Sequence, residues 1–144
     1  MSFSSEVKEE LSKHLGKSRH CQLAELAALT AFQGRLYESE SGQKQMQDSE
    51  NEILSSKYEL LYHNLFQTDK KAYNKTKICE AIKMWDETEN VEKITDTVNG
   101  ILIQQGCCKR SYIRGAFLAG GSISDPNKSY HFEIVCRTEP QALQ

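Results

Sequence analysis

The residues best suited to chemistry in this 144-residue chain are five cysteines, four histidines, scattered acids and two basic clusters. Cys21, Cys79, Cys107, Cys108 and Cys136 make an odd count. The amino terminus, MSFSSEVKEEL, lacks the basic and apolar blocks of an export signal, so reduced thiols are expected rather than a disulfide framework. Cys107 and Cys108 are adjacent, not in the C-x-x-C spacing that turns two sulfurs onto one tetrahedral zinc, and His20 and His131 supply no compensating motif. The reading is therefore no metal and no cofactor, with Cys107 and Cys108 as small packing residues. No glycine-rich loop is present to cradle a nucleotide.

Eighteen Lys plus Arg against twenty Asp plus Glu give a net charge of −2, so the overall field does not attract polyanions and nucleic acid would need a local patch. Lys70, Lys71, Lys75 and Lys77, with Tyr73 among them, form the densest basic stretch. Lys109 and Arg110, followed by Arg114, form a second. Such side chains neutralise phosphates and release counterions, giving salt-dependent, largely sequence-blind affinity. The first stretch reads equally as a solvated loop. Arg114, on a helix of small residues, is expected to bond helix-terminal carbonyls.

The elements that must position these groups follow from periodicity. Residues 1–15 place Val7, Leu11 and Leu15 at steps of four, which predicts a helix stopped by Gly16. Residues 19–33 predict a second helix with leucines on one side, alanines as small positions, and Gly34 as its end. Residues 35–38 and 44–47 are expected to form a polar hairpin. Ser49 and Glu52 have the form of a capping box, and an apolar stripe from Ile53 to Leu65 continues a helix to about Phe66.

Residues 68–82 are expected to hold one or two strands and residues 89–98 a short helix. The end of the chain predicts a helix over 111–120, a strand from Gly121, a turn at Asp125-Pro126-Asn127, a strand over 130–136, and a helix opened by Thr138 and Pro140. A helix opening so close to Gln144 suggests the front part of a longer protein. No apolar run approaches the roughly 20 residues of a membrane span, so the expectation is a cytoplasmic protein with no membrane partner.

A shift of 87 residues lays the segment from Leu26 to Leu36 onto that from Ile113 to Ile123, with Gly34 on Gly121. The class pattern persists around it: a small-residue helix, a glycine, a strand, a turn, a polar strand, and a Ser or Thr helix cap. The repeat implies pseudo-twofold symmetry. Ala24, Ala28 and Ala31 on one helix, and Gly115 and Ala119 on the other, would let the two backbones approach closely.

The chain resembles the LAGLIDADG homing-endonuclease fold and, more closely, the WhiA family of bacterial regulators. The resemblance is carried by MSFSSEVKEEL, by CQLAELAAL from Cys21, by Cys107-Cys108-Lys109-Arg110, by YIRGAFLAGGSI from Tyr112, by Asp125-Pro126, and by YHFEIV from Tyr130. It implies an α+β fold of the αββαββα repeat type. An amino-terminal helix would cover residues 1–20, a first repeat 21–105, and the start of a second, incomplete repeat 106–144, with the family's carboxy-terminal helix-turn-helix domain absent. It also implies a saddle-shaped sheet that would present the Lys70 to Lys77 stretch to a duplex.

In the endonucleases, acidic residues at the ends of the two motif helices hold divalent metal at the scissile phosphate. Those positions correspond here to Gln33 and Gly120, which offer no anionic oxygen. Asp125 is better explained as a turn residue, and Glu25 lies two helical turns too early. The resemblance thus implies a non-enzymatic, nucleoid-associated regulator of transcription, sporulation, cell division, the cell cycle and chromosome segregation. Double-stranded DNA would be a weak or indirect partner of this part, alongside other regulators. The alternative is a protein-interaction scaffold without DNA contact of its own, which the net charge and the lost ligands favour.

Overall fold

The computed structural model describes residues 2–33, 49–66, 75–86, 91–92, 97–136 and 138–144. Its elements are α1 (Phe3–Ser12), α2 (Arg19–Gln33), α3 (Ser49–Phe66), α4 (Lys75–Ala81), β1 (Trp85–Asp86), β2 (Val91–Glu92), a 3-10 turn (Gly100–Ile103), α5 (Gly106–Gly120), β3 (Gly121–Ile123), β4 (Phe132–Ile134) and α6 (Glu139–Leu143). The fold is α+β and LAGLIDADG-like: α5, β3, β4 and α6 give the helix, strand, strand, helix order of one repeat.

Small side chains bring α2 and α5 together. Ala24, Ala27, Ala28 and Ala31 are wholly buried. At Gly115 a Cβ atom would lie 2.8 Å from the Glu25 carbonyl oxygen and 2.9 Å from the Ala28 Cβ, so glycine sets the approach distance. Gly115 is buried and Ala119 half-buried. Contacts pair His20 with Cys108, Glu25 with Arg114, and Phe32 with Gly120. The helices therefore run in the same direction, starts beside starts and ends beside ends.

The core lies around this pair. Leu26, Leu29, Tyr58, Leu61, Ile78 and Leu118 are buried in one cluster drawn from α2, α3, α4 and α5. At the chain end, Thr138 Oγ1 accepts a hydrogen bond from the Gln141 amide at 3.3 Å and Pro140 sits in the first turn, which opens α6. Asp125 Oδ1 accepts from the Asn127 amide at 3.0 Å, an Asx turn joining β3 to β4. The antiparallel register pairs Gly121 with Ile134, Ser122 with Glu133, and Ile123 with Phe132.

Three sequence expectations change. Residues 75–81 form helix α4 instead of strand, because Ile78, Cys79 and Ile82 are all buried, at helical spacing, where a strand would turn Cys79 to the opposite face. Within 89–98, Val91 and Glu92 pair with Trp85 and Asp86 as a short strand instead of a helix. Among the described residues the strands make two separate two-stranded sheets, not a broad saddle. The hairpin expected over 35–47 lies outside the described residues. No helix among the described residues is long and apolar enough to cross a membrane.

Candidate functional site

Halfway along the helix pair, one buried carboxylate joins four helices. Glu25 on α2 is wholly buried and lies 3.2 Å from Lys57 Nζ on α3. Arg114 on α5 donates to it through Nε at 3.3 Å to each carboxylate oxygen and through Nη2 at 3.2 Å. Arg114 Nη2 also donates to Ser111 Oγ at 3.2 Å. Lys57 is wholly buried too, and its Nζ donates to the carbonyls of Leu11 and His14 at the close of α1.

Burial pulls the Lys57 amine below its ordinary value, the Glu25 charge and hydrogen bond pull it back up, and Arg114 adds to the lowering. Arg114 thus meets a carboxylate and a serine, in place of the helix-terminal carbonyls expected. The triad holds structure: its groups are partnered by one another, by Ser111 and by the carbonyls at the close of α1, and Arg114 is only 15 % exposed.

At the starts of the helices, reactive groups converge. His20 and Cys21 open α2, and Cys107 and Cys108 open α5. One donor atom from each of the four lies within 4.8 Å of every other. His20 Nδ1 is 3.1 Å from Cys108 Sγ, 3.8 Å from Cys21 Sγ and 3.9 Å from Cys107 Sγ. The shift of 87 residues maps His20 onto Cys107 and Cys21 onto Cys108, so the repeat makes these sites neighbours although the sequence separates them.

Cys21 and Cys108 are buried, Cys107 is half-buried and His20 is exposed. Burial pushes the Cys21 thiol up, yet hydrogen bonds involving Ser18, Cys107, Ser111 and Cys108 outweigh it and leave the group below its ordinary value. Burial raises Cys108, and the neighbouring Cys107 and Cys21 raise it further. Sequence spacing missed this cluster because its donors come from two repeats. The two adjacent pairs at equivalent repeat positions were the available signal.

The same region is basic. Residues 11–24 and 99–124 contain no acidic side chain. Lys17, Arg19, Lys109 and Arg110 are all exposed beside the two helix starts, whose dipoles add positive potential. Arg19 also donates to the Leu65 carbonyl at 3.1 Å. Lys77 is exposed on α4, and Lys75 falls on the same helix instead of a strand. Lys70 and Lys71 lie outside the described residues.

The opposite ends of the helices are closed. A Cβ at Gly120 would sit 3.0 Å from the Val135 carbonyl oxygen and 3.8 Å from Phe32 Cδ2. Gln141 of α6 donates through Nε2 to the Ala31 carbonyl at 3.4 Å, covering the last turn of α2. The divalent-metal site of the LAGLIDADG nucleases does not fit here: Gln33 and Gly120 supply no carboxylate, and at Gly120 the Val135 backbone just past β4 occupies the place where a side chain would extend.

Residues 109–144 match the family described as the WhiA LAGLIDADG-like domain. The chain is also 38 % identical to the probable cell division protein WhiA of Lachnospira eligens over 165 residues, covering 99 % of this chain and 51 % of that protein. The chain belongs to the WhiA family. Its WhiA relatives include those named probable cell division protein WhiA in Lachnoclostridium phytofermentans, at 35 % identity over 94 % of the chain and 50 % of that protein, and in Syntrophomonas wolfei, at 32 % over 99 % and 52 %. The chain spans about half the length of these WhiA proteins. No solved structure matches it.

Proposed function

We propose that this chain is the scaffold part of a non-catalytic, DNA-associated, nucleoid-associated WhiA regulator acting in cell division, sporulation and chromosome segregation. The observation that supports it is the basic surface at the joined starts of α2 and α5, where Lys17, Arg19, Lys109 and Arg110 are exposed and the flanking segments 11–24 and 99–124 carry no acidic residue. Phosphates would be held there by charge and by helix-start amides, with no reading of base sequence. Cleavage is not part of this reading, because the fold's metal ligands are replaced at Gln33 and Gly120. The repeat boundaries at residues 21, 105 and 106 belong to the same proposal.

The test is a fluorescence-anisotropy titration of the chain with a mixed-sequence duplex at rising salt. Weak binding whose log affinity falls linearly with log salt is expected, as is intact supercoiled plasmid after incubation with magnesium. Tight, salt-insensitive, sequence-selective binding would contradict the reading, as would nicking. A second reading, a protein-docking scaffold, is favoured by the β3–β4 hairpin. Tyr130 is 93 %, Phe132 58 % and Val135 62 % exposed there, beside a depression of about 340 Å³. Absence of duplex binding even at low salt would select it.

A further inference from the structure

We propose that His20, Cys21, Cys107 and Cys108 form a tetrahedral Cys3His site for a soft divalent ion of the zinc type, fastening the start of α2 to the start of α5. The geometry requires little movement. Zinc bonds of about 2.3 Å to sulfur and about 2.0 Å to nitrogen at tetrahedral angles place donors roughly 3.5–3.8 Å apart. The three separations from His20 Nδ1 are 3.1, 3.8 and 3.9 Å, and no pair of donors exceeds 4.8 Å.

The donor set selects the ion. Three thiols and one imidazole suit zinc and other soft or borderline ions, and not magnesium or calcium, which require oxygen donors. On binding, the three thiols release protons and the centre carries one net negative charge. Two helix starts with Lys17, Arg19, Lys109 and Arg110 around them are a favourable setting for it. All four protein donors are present, which is the composition of a closed structural site, not of a catalytic one with an open position.

The site differs from that of the LAGLIDADG nucleases in donors and place. It lies at the opposite end of the helix pair, and its ligands arise because the 87-residue repeat puts Cys21 beside Cys108 and His20 beside Cys107. Half-buried Cys107 and exposed His20 leave a route for the ion. The inference does not rest on DNA binding, so either can fail without the other.

The test titrates the reduced, metal-free 144-residue chain with cobalt(II), then with zinc(II). One equivalent of cobalt is expected to give thiolate-to-cobalt charge transfer and the intense visible bands of tetrahedral coordination. One equivalent of zinc should remove both and raise the melting temperature. Cys107→Ala, at a half-buried position, is expected to keep the metal-free circular dichroism of the parent chain and to lose the stoichiometric signal; Cys136→Ala, outside the cluster, should keep both. A six-coordinate cobalt spectrum, no stoichiometric metal, binding unchanged in Cys107→Ala, or a disulfide among Cys21, Cys107 and Cys108 that returns after reduction and excludes metal would each overturn the proposal.

Discussion

The two ends of the α2–α5 pair are built on the same repeat yet hold opposite chemistry. At the starts, equivalent positions bring a histidine and three cysteines within 4.8 Å of one another, beside the exposed Lys17, Arg19, Lys109 and Arg110. At the finish, the equivalent positions are Gln33 and Gly120, the Val135 backbone lies 3.0 Å from where a Gly120 Cβ would stand, and Gln141 covers Ala31. Pairing two parallel helices makes every level a potential site, because each contributes a side chain from both repeats. Which level is chemically active then depends on the side chains and on whether neighbouring elements leave room. Here the finish is filled by backbone, and the start is left with ligands and partial access.

Between the two ends the Glu25 triad holds the pair, and disturbing it is the strongest way to break the comparison. Glu25→Gln leaves Lys57 and Arg114 buried without a counter-charge and is expected to cost about 3–5 kcal/mol, read by chemical denaturation. A loss below about 1 kcal/mol would mean that both cations reach water and that the helices are not joined there. Gly115→Ala comes next. Its methyl would press on the Glu25 carbonyl at 2.8 Å, for an expected loss of about 1–3 kcal/mol.

Gly120→Asp sharpens the contrast at the finish. Returning a carboxylate to the nuclease position is expected to cost about 1 kcal/mol by crowding Val135 and to give no magnesium-dependent nicking of plasmid. At the start, Lys109→Ala with Arg110→Ala should leave stability within about 0.5 kcal/mol and lower the salt slope of duplex binding by about 2. An unchanged slope would remove this end from the DNA surface.

The smallest effect is that of alkaline pH on Lys57. Burial places its folded value below its unfolded one, so between the two the unfolded chain binds more protons. Stability relative to Lys57→Met, in which Glu25 keeps Arg114, should therefore rise with pH through the window beneath the ordinary lysine value. A flat difference would show that Lys57 is solvated.

Sequence pattern revealed the scaffold better than the site. The limits of α2 and α3, Arg19–Gln33 and Ser49–Phe66, follow from long apolar stripes. Helix α4 reads as a strand in the sequence because Ile78, Glu80 and Ile82 alternate, and seven residues are too few for the buried Cys79 to reveal the helical period. The Glu25–Lys57–Arg114 triad was not legible. Glu25 and Lys57 look like ordinary helix-surface charges, and Arg114 like a partner for helix-terminal carbonyls, until three helices converge. The thiol cluster has no local C-x-x-C spacing, although the 87-residue shift that aligns the motif helices also aligns its two pairs.

The parallel pairing of α2 and α5 is tested most directly by a double-mutant cycle on residues 89 positions apart in sequence, Glu25→Gln and Arg114→Met, each alone and together. The four proteins are compared by urea denaturation in a stabilising osmolyte that keeps all of them folded. A coupling of roughly 1–3 kcal/mol is expected, since the single change at Glu25 strands Arg114 and the second change removes the stranded charge. Additivity within about 0.5 kcal/mol would show that the two side chains do not meet and would contradict the helix pairing on which both ends of the comparison depend.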